Sequence, residues 1–102
     1  MRVRWSLPAR QQLDRYAAYI AIDSPTAARQ VVQRVRAATR GLADHPLKGR
    51  PGQVIDTREL VVAHTSLTVA YRVIGQTVFI VAVVHQAQEW PESFEGDPAT
   101  TP

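Results

Sequence analysis

Three residues have the chemistry that metal-free cleavage of a phosphodiester requires. His85 ends the most apolar stretch of the chain, and Arg58 and Arg72 lie in two earlier stretches that are typical of strands. Cleavage of RNA needs a base for the 2′-hydroxyl, an acid for the leaving oxygen and cations on the phosphorane. The alternative interpretation is structural: His85 caps the sheet, Arg72 faces solvent, and Arg58 pairs with a carboxylate such as Glu59 or Asp56. From these residues alone, the structural interpretation is favoured.

Other kinds of catalytic site find no support in the sequence. It has no cysteine, which excludes a disulfide framework, a thiolate zinc site and a cysteine nucleophile. His45, His64 and His85 are scattered, with no HxxxH or HExxH spacing. The glycines form no dinucleotide fingerprint, and no serine lies in a nucleophile elbow. We therefore expect neither a metal nor a cofactor.

Charge is divided unevenly along the chain. Residues 1–85 contain all 12 Lys and Arg and five acidic residues, a net charge of +7, whereas residues 86–102 carry −4. Eleven of the 12 cations are arginine, whose planar fork binds carboxylates and phosphates, so we expect an acidic protein or a nucleic acid as partner. A high-GC genome would explain the ratio of arginine to lysine, but not the segregation. The candidate partner-binding cations are Arg29, Arg36, Arg40, Lys48, Arg50 and Arg58.

The elements that must position these residues start with a strand and two helices. Residues 2–6 alternate charged and apolar side chains, which predicts a half-buried strand. Pro8, with Ser6 as a possible cap, suits the first turn of a helix with one apolar stripe. Ser24 and Pro25 then predict the N-cap and first position of a second helix, whose outer surface carries Arg29, Arg36 and Arg40. So short a connection predicts an antiparallel helix hairpin.

The second half of the sequence predicts strands. A basic, turn-rich connector, residues 45–52, contains Gly49 and Gly52, whose amides could face a phosphate beside Lys48 and Arg50. Strands are expected over 58–63, 67–74 and 77–85, with Gly75 in a two-residue hairpin loop. Residues 78–84 are apolar throughout, which predicts a central strand covered on both faces. The predicted fold is α+β, in the order β-α-α-β-β-β, with a helix hairpin packed on a small antiparallel sheet.

The length of the chain allows one domain with one core. We expect residues 1–91 to form it and residues 92–102 to be a flexible acidic tail with almost nothing apolar beyond Phe94 to anchor it. The sequence has no signal-like apolar run after its first residues and no stretch long enough to span a bilayer. A cytoplasmic location without a membrane partner is the expectation.

Several blocks of residues occur together in one order. In the second half they are His45-Pro46-x-x-Gly49-Arg50-Pro51-Gly52, Thr57–Val62, Tyr71-Arg72-Val73, Val84-His85 and Trp90-Pro91. In the first half they are the alternating strand, Leu13-Asp14, Tyr19-Ile20 and Ser24-Pro25-x-Ala27-Ala28. Over roughly residues 2–91, without a large insertion, this pattern resembles the ParE/RelE toxin superfamily.

The resemblance implies the toxin of a type II toxin–antitoxin pair. ParE-like members poison DNA gyrase, and RelE-like members cut mRNA on the ribosome. The nuclease branch carries cations on its sheet, and Arg58 matches one of those positions. Leu60, Thr68 and Gln88 fall near further cationic positions and are not basic. ParE-like sequences often have arginine where Gln88 stands, so a role for that position is in doubt under either interpretation.

We therefore expect a ParE-like gyrase inhibitor that binds its target and is not an enzyme. The resemblance implies a cognate ParD-like antitoxin, a DNA-binding repressor, with which the toxin forms a hetero-oligomer. Trp90 joins the cations above as a candidate for target or partner binding. The alternative is a RelE-like, ribosome-dependent and metal-independent mRNA endoribonuclease, with Arg58, Arg72 and His85 as its catalytic candidates. A third interpretation is a degenerate member that only binds its antitoxin.

Overall fold

The computed structural model describes residues 1–99 as two helices beside one sheet. In chain order the elements are β1 (Arg2–Trp5), α1 (Leu7–Asp23), α2 (Pro25–Gly41), β2 (Arg50–Pro51), β3 (Arg58–Val61), β4 (Leu67–Ile74) and β5 (Thr77–His85). The predicted α+β class and element order are confirmed. The structure adds β2, a two-residue strand inside the basic connector, which is too short to leave a periodic pattern in the sequence.

Both helices begin where the sequence predicts. The hydroxyl of Ser6 accepts a hydrogen bond from the amide of Ala9, and that of Ser24 accepts one from Ala27, each at 3.1 Å. These bonds satisfy amides that the first turn of a helix leaves without an intrahelical partner. A single residue, Ser24, separates α1 from α2, so the two helices form the predicted hairpin. α1 packs on β5, and α2 lies over β4.

The sheet is mixed, with the strand order β1-β5-β4-β3-β2. The pairs β3–β4 and β4–β5 are antiparallel, as predicted, and so is β2–β3, but β1 pairs with β5 in parallel. The expectation of a wholly antiparallel sheet is wrong in this one pairing. The helix hairpin explains it, because it brings the chain back to the start of β1, where the amino group of Met1 donates to the carbonyl of Ala43 at 3.2 Å.

The sheet is covered on both faces, as predicted for its central strand. The face under the helices carries the larger core, whose most buried members are Ala9, Leu13, Val35, Leu42, Val62, Leu67, Val69, Tyr71, Val78, Ile80 and Val83. The opposite face carries a second cluster of Val54, Ala70, Val81, Ala82, Val84 and Phe94. Burial of β5 from Val78 to Val84, with Phe79 half-buried, confirms that it is a central strand.

The segment after Trp90 packs back onto this second face. Phe94 is only 4% exposed and meets the ring of Trp90 edge to face, with ring centroids 6.1 Å apart. Asp97 is fully buried. The expectation that little anchors this segment is therefore wrong for residues 92–99, which we call the C-terminal strap. Residues 100–102 of the predicted tail lie outside the described part of the chain. Within residues 1–99, no helix has the length and apolar character to cross a membrane.

Candidate functional site

His85 lies at one end of the sheet, under the helix α1. Its backbone amide donates to the hydroxyl of Tyr16 at 3.1 Å and to the side-chain oxygen of Gln88 at 3.0 Å. Its ring nitrogen Nδ1 accepts from the amide of Ala87 at 3.1 Å, and its ring lies 6.0 Å from that of Tyr16. The hydroxyl of Tyr16 also donates to Gln88. These bonds agree with the structural interpretation, in which His85 closes the end of the sheet.

Arg72 lies near the opposite end of the sheet and is buried. Its guanidinium binds the carboxylate of Asp97 through two hydrogen bonds, Nε to Oδ1 at 3.0 Å and Nη2 to Oδ2 at 2.8 Å. The expectation that Arg72 faces solvent is wrong, because the C-terminal strap covers it. Burial by itself would raise the pKa of Asp97, but the bonds from Arg72 and the amide of Ala99 outweigh it and hold that pKa below its usual value.

Arg58 holds the connector in place instead of pairing with an acid. Its guanidinium donates to the carbonyl oxygens of Leu47 at 3.3 Å and Gly49 at 2.8 Å. The carboxylate of Glu59 instead accepts from Arg50 at 3.3 Å and from the amide of Gln53 at 2.8 Å. The expected pairing of Arg58 with Glu59 or Asp56 is therefore wrong. Arg58 does border one open cleft with Arg72.

The three nuclease candidates are not brought together. Leu67 on β4 pairs with His85, whereas Arg72, five residues further along β4, pairs with Phe79. At about 3.3 Å per residue, His85 and Arg72 are separated by roughly 16 Å along the sheet. Their side chains also lie on different faces, since His85 meets α1 and Arg72 meets the strap. No phosphate could contact both groups at once.

The basic connector is fixed by internal bonds. The amide of Gly49 donates to the hydroxyl of Tyr71, and that of Gly52 donates to the carbonyl of Thr57, each at 2.8 Å. The suggestion that these amides face a phosphate is therefore wrong. A Cβ on Gly49 would lie 2.8 Å from the Tyr71 side chain, so close packing explains why this position is glycine. Burial raises the pKa of Tyr71, against the opposing effects of the Gly49 amide and Arg58.

Two of the predicted cations of α2 border a concave surface next to β1. We call it the β1 groove; it has a volume of about 430 Å³. Its apolar floor is formed by Val3, Trp5 and Leu13, and its rim by Arg10, Arg36 and Arg40. Asp14 is the one acidic residue that lines it. The groove combines apolar surface with arginines that form no ion pair within residues 1–99, a composition suited to binding an acidic partner.

The remaining candidates are dispersed. Arg29 is exposed at the start of α2 and donates to Thr26 at 3.3 Å. Lys48 is exposed on the connector, and Arg50 is exposed while bound to Glu59. Trp90 is half-buried under the strap, packed with Phe94. Of the candidates for partner binding, Arg36 and Arg40 share the β1 groove.

Sequence reasoning missed the two features that organise the surface. Asp97 falls in an acidic segment for which a flexible tail was predicted, and no local pattern in the sequence connects it with Arg72. The β1 groove could not be found from periodicity, because β1, α1 and α2 each contribute only part of it. Among residues 1–99, no cluster of histidines and carboxylates has the arrangement of a metal site.

Comparison with known proteins gives consistent results. A family model described as the ParE toxin of the type II toxin–antitoxin system parDE matches residues 3–90. A Sinorhizobium fredii protein named "Putative toxin Y4kP" is 45% identical over 91 residues, covering 89% of this chain and 94% of that protein. The solved structure of a chromosomal ParDE TA system from P. aeruginosa matches with a TM-score of 0.73 and 25% identity, over 83% of this chain and 95% of that one.

Proposed function

The chain belongs to the ParE toxin family of type II toxin–antitoxin systems, and from this membership we propose that it arrests growth by inhibiting DNA gyrase. A cognate antitoxin would neutralise it in a hetero-oligomer. The proposal places the protein in the cytoplasm, where its target works. Inhibition would come from binding, without a cofactor.

The observation that supports binding over RNA cleavage is the separation of the nuclease candidates. Arg72 is neutralised by Asp97, Arg58 is committed to two backbone carbonyls, and His85 lies at the far end of the sheet. Each missing donor to a phosphorane costs about 3–4 kcal/mol of transition-state stabilisation. Leu60 and Thr68, which stand near cationic positions of the nuclease branch, are themselves half-buried and buried. An inhibitor that binds gyrase needs none of these groups.

The proposed function is tested by expression in cells and by assays with purified enzyme. We expect growth arrest with filamentation and DNA-damage signalling, and rescue by the antitoxin encoded beside the toxin. The purified protein should block supercoiling by gyrase and leave ribosome-bound mRNA intact. Cleavage of mRNA in the ribosomal A site, with supercoiling unaffected, would replace this proposal by the RelE-like alternative.

The antitoxin is proposed to bind where charge and apolar surface coincide. Arg36 and Arg40 border the β1 groove, and both are exposed. A segment that orders on binding loses conformational entropy, so charge alone cannot hold it and apolar anchors must supply the remaining free energy. The β1 groove offers both kinds of contact.

A further inference from the structure

A cavity lies between the second half of α1 and the turn that joins β3 to β4. We call it the His64 cavity; its volume is about 610 Å³, within the range of roughly 300–1,000 Å³ for pockets that hold drug-sized molecules. Its apolar floor is formed by Tyr16, Ile20, Val31 and Leu67, which are buried or half-buried. It shares no lining residue with the β1 groove. The His64 cavity is therefore a second concave surface, which the proposed function does not use.

The polar groups at the opening of the cavity are cationic or donate hydrogen bonds. Arg15 and His64 are exposed there, and Arg15 forms no ion pair within residues 1–99. Nδ1 of His85, which also lines the cavity, accepts from the amide of Ala87, so the proton of the neutral ring lies on Nε2, which is a donor. None of the lining residues within 1–99 is acidic. An anion therefore finds partners at the opening and no like charge.

The turn that forms one wall of the cavity is fixed by its own bonds. The hydroxyl of Thr65 donates to the carbonyl of Val62 at 2.9 Å and accepts from the amide of Leu67 at 3.1 Å. The carbonyl of His64 accepts from Arg34 at 3.3 Å. His64 has a φ of +62°, which is uncommon for a residue with a side chain. Because this wall is already ordered, a ligand loses little affinity to the ordering of the protein.

The same bonds limit which kind of molecule can bind. An added polypeptide strand is held by a row of free peptide groups, and bonds such as that from the amide of Gln86 to the carbonyl of Ser66 at 2.9 Å interrupt any such row along this turn. A nucleic acid needs several cations for its phosphates, whereas Arg15 is the one permanent cation among the lining residues within 1–99. An apolar floor, aromatic rings and a few side-chain donors suit a small aromatic anion.

We propose that the His64 cavity binds a small aromatic carboxylate. The ring of the ligand lies on the apolar floor, and Tyr19, which is 74% exposed, contacts it from the rim. The carboxylate lies at the opening beside Arg15 and His64. Burial of the ring supplies most of the affinity, and the cation selects the charged ligand over a neutral one. The proposal does not rest on gyrase inhibition or on the antitoxin.

Two probes of similar shape test the proposal with the full chain, labelled with ¹⁵N for NMR. One is cinnamate, and the other is its neutral amide, cinnamamide. Cinnamate should bind in the low millimolar range or more tightly, as expected for a ligand of its size. It should move the amide signals of Ile20, Leu67 and His85. Cinnamamide should move the same signals and bind at least about threefold more weakly.

A first pair of substitutions isolates the contribution of charge. Arg15→Gln removes the cation at the opening and should weaken binding of cinnamate about three- to fivefold, while binding of cinnamamide stays the same. The control is Arg10→Gln, which removes an arginine of the same helix that lines the β1 groove instead. It should leave both affinities unchanged. Both arginines are exposed, so each variant should keep the melting temperature of the unaltered chain.

A second pair isolates the contribution of the aromatic rim. Tyr19→Ala should weaken binding of both probes by a similar factor, about three- to tenfold, because each loses the same contact with a ring. The control is Ile22→Ala, which removes an apolar side chain that is 80% exposed on the same helix and does not line the cavity. It should change neither affinity.

Other outcomes would overturn the proposal. These are equal affinity for the two probes, equal losses in Arg15→Gln and Arg10→Gln, and no change in the amide signals with about 10 mM cinnamate. Changes centred on Val3 and Trp5 would place the probe in the β1 groove instead. Signals of the cavity that move with protein concentration in the absence of a probe would assign it to a second copy. None of these measurements involves gyrase or growth, so the proposed function can fail while this proposal stands.

Discussion

Arg72 and Asp97 lie 25 positions apart in the sequence and are joined by two hydrogen bonds with almost no access to water. Taking two charges out of water is costly, and only their mutual contact offsets that cost. Removing one partner leaves the other as a buried, uncompensated charge. At the scale of single residues this pair is therefore the most sensitive point of the second face of the sheet.

Asp97→Ala is expected to lower the free energy of unfolding by about 3–5 kcal/mol, because it leaves the guanidinium of Arg72 buried without its carboxylate. The matched control is Glu95→Ala, which removes an exposed acid two residues away in the same strap. Urea denaturation of both variants measures the difference. Equal stabilities would mean that the ion pair is replaced by water at no cost.

The same pair makes stability depend on pH. The pKa of Asp97 is lower in the folded protein than in the unfolded chain, so its contribution is present above the unfolded value of about 3.9. It is lost as the pH falls through the folded pKa. Between pH 5 and 2 the unaltered protein should lose more stability than Asp97→Asn does. If the free energy of unfolding fell equally with pH in the two proteins, this assignment to Asp97 would be contradicted.

Gly49 and Gly41 form a matched pair for a second residue-scale prediction. A Cβ at Gly49 would meet the Tyr71 side chain at 2.8 Å and the Glu59 carbonyl at 2.9 Å, whereas Gly41 has nothing within 4 Å. Gly49→Ala should therefore cost about 1–3 kcal/mol through overpacking. Gly41→Ala should be neutral or stabilising by up to about 1 kcal/mol, since alanine favours a helix. Thermal denaturation of both variants measures the difference in stability. Equal melting temperatures of Gly49→Ala and Gly41→Ala would refute the packing argument.

At the scale of elements, the C-terminal strap is part of the fold. It contributes Phe94 to the second core cluster and Asp97 to Arg72. Truncation after Pro91 should lower the melting temperature by well over about 10 °C, because the loss of a buried ring and of the partner of a buried charge adds several kcal/mol. Truncation after Ala99 keeps both groups and is the control. If the two truncated proteins have the same melting temperature, the strap contributes nothing to stability.

Local features of this fold could be predicted from sequence, and distant pairings could not. Ser6, Ser24 and Pro25 define the helix starts through bonds made within four residues, and the hairpin loop at Gly75 follows from its own backbone, with φ of +57°. In contrast, the pairing of β1 with β5 and of Arg72 with Asp97 joins residues that no periodic pattern connects. Arg36 and Arg40 of the β1 groove were named from sequence, but Arg10 was not, and the apolar floor needed the parallel pairing.

At the scale of the whole molecule, the uneven distribution of charge should control the association rate of an acidic partner. Arg36→Ala combined with Arg40→Ala should slow association with the antitoxin and weaken its dependence on salt, while dissociation changes little. The control is Arg15→Ala with Arg34→Ala, which removes the same charge from exposed helix positions outside the β1 groove. Stopped-flow measurements at low and high salt compare the two. Equal association rates would exclude the groove rim as the site of encounter.

The pairing of β1 with β5 also has a consequence for how the chain is made. Arg2 pairs with Thr77, so β1 cannot form its pairing until β5 has also been synthesised. At about 5–20 residues per second, roughly 4–15 s of translation separate them. Until then the helix hairpin has no central strand to pack on, and the apolar floor beside β1 is incomplete. Contacts this distant in sequence also slow folding after release. The β1–β5 pairing, and with it the β1 groove, can therefore form only after β5 has been synthesised.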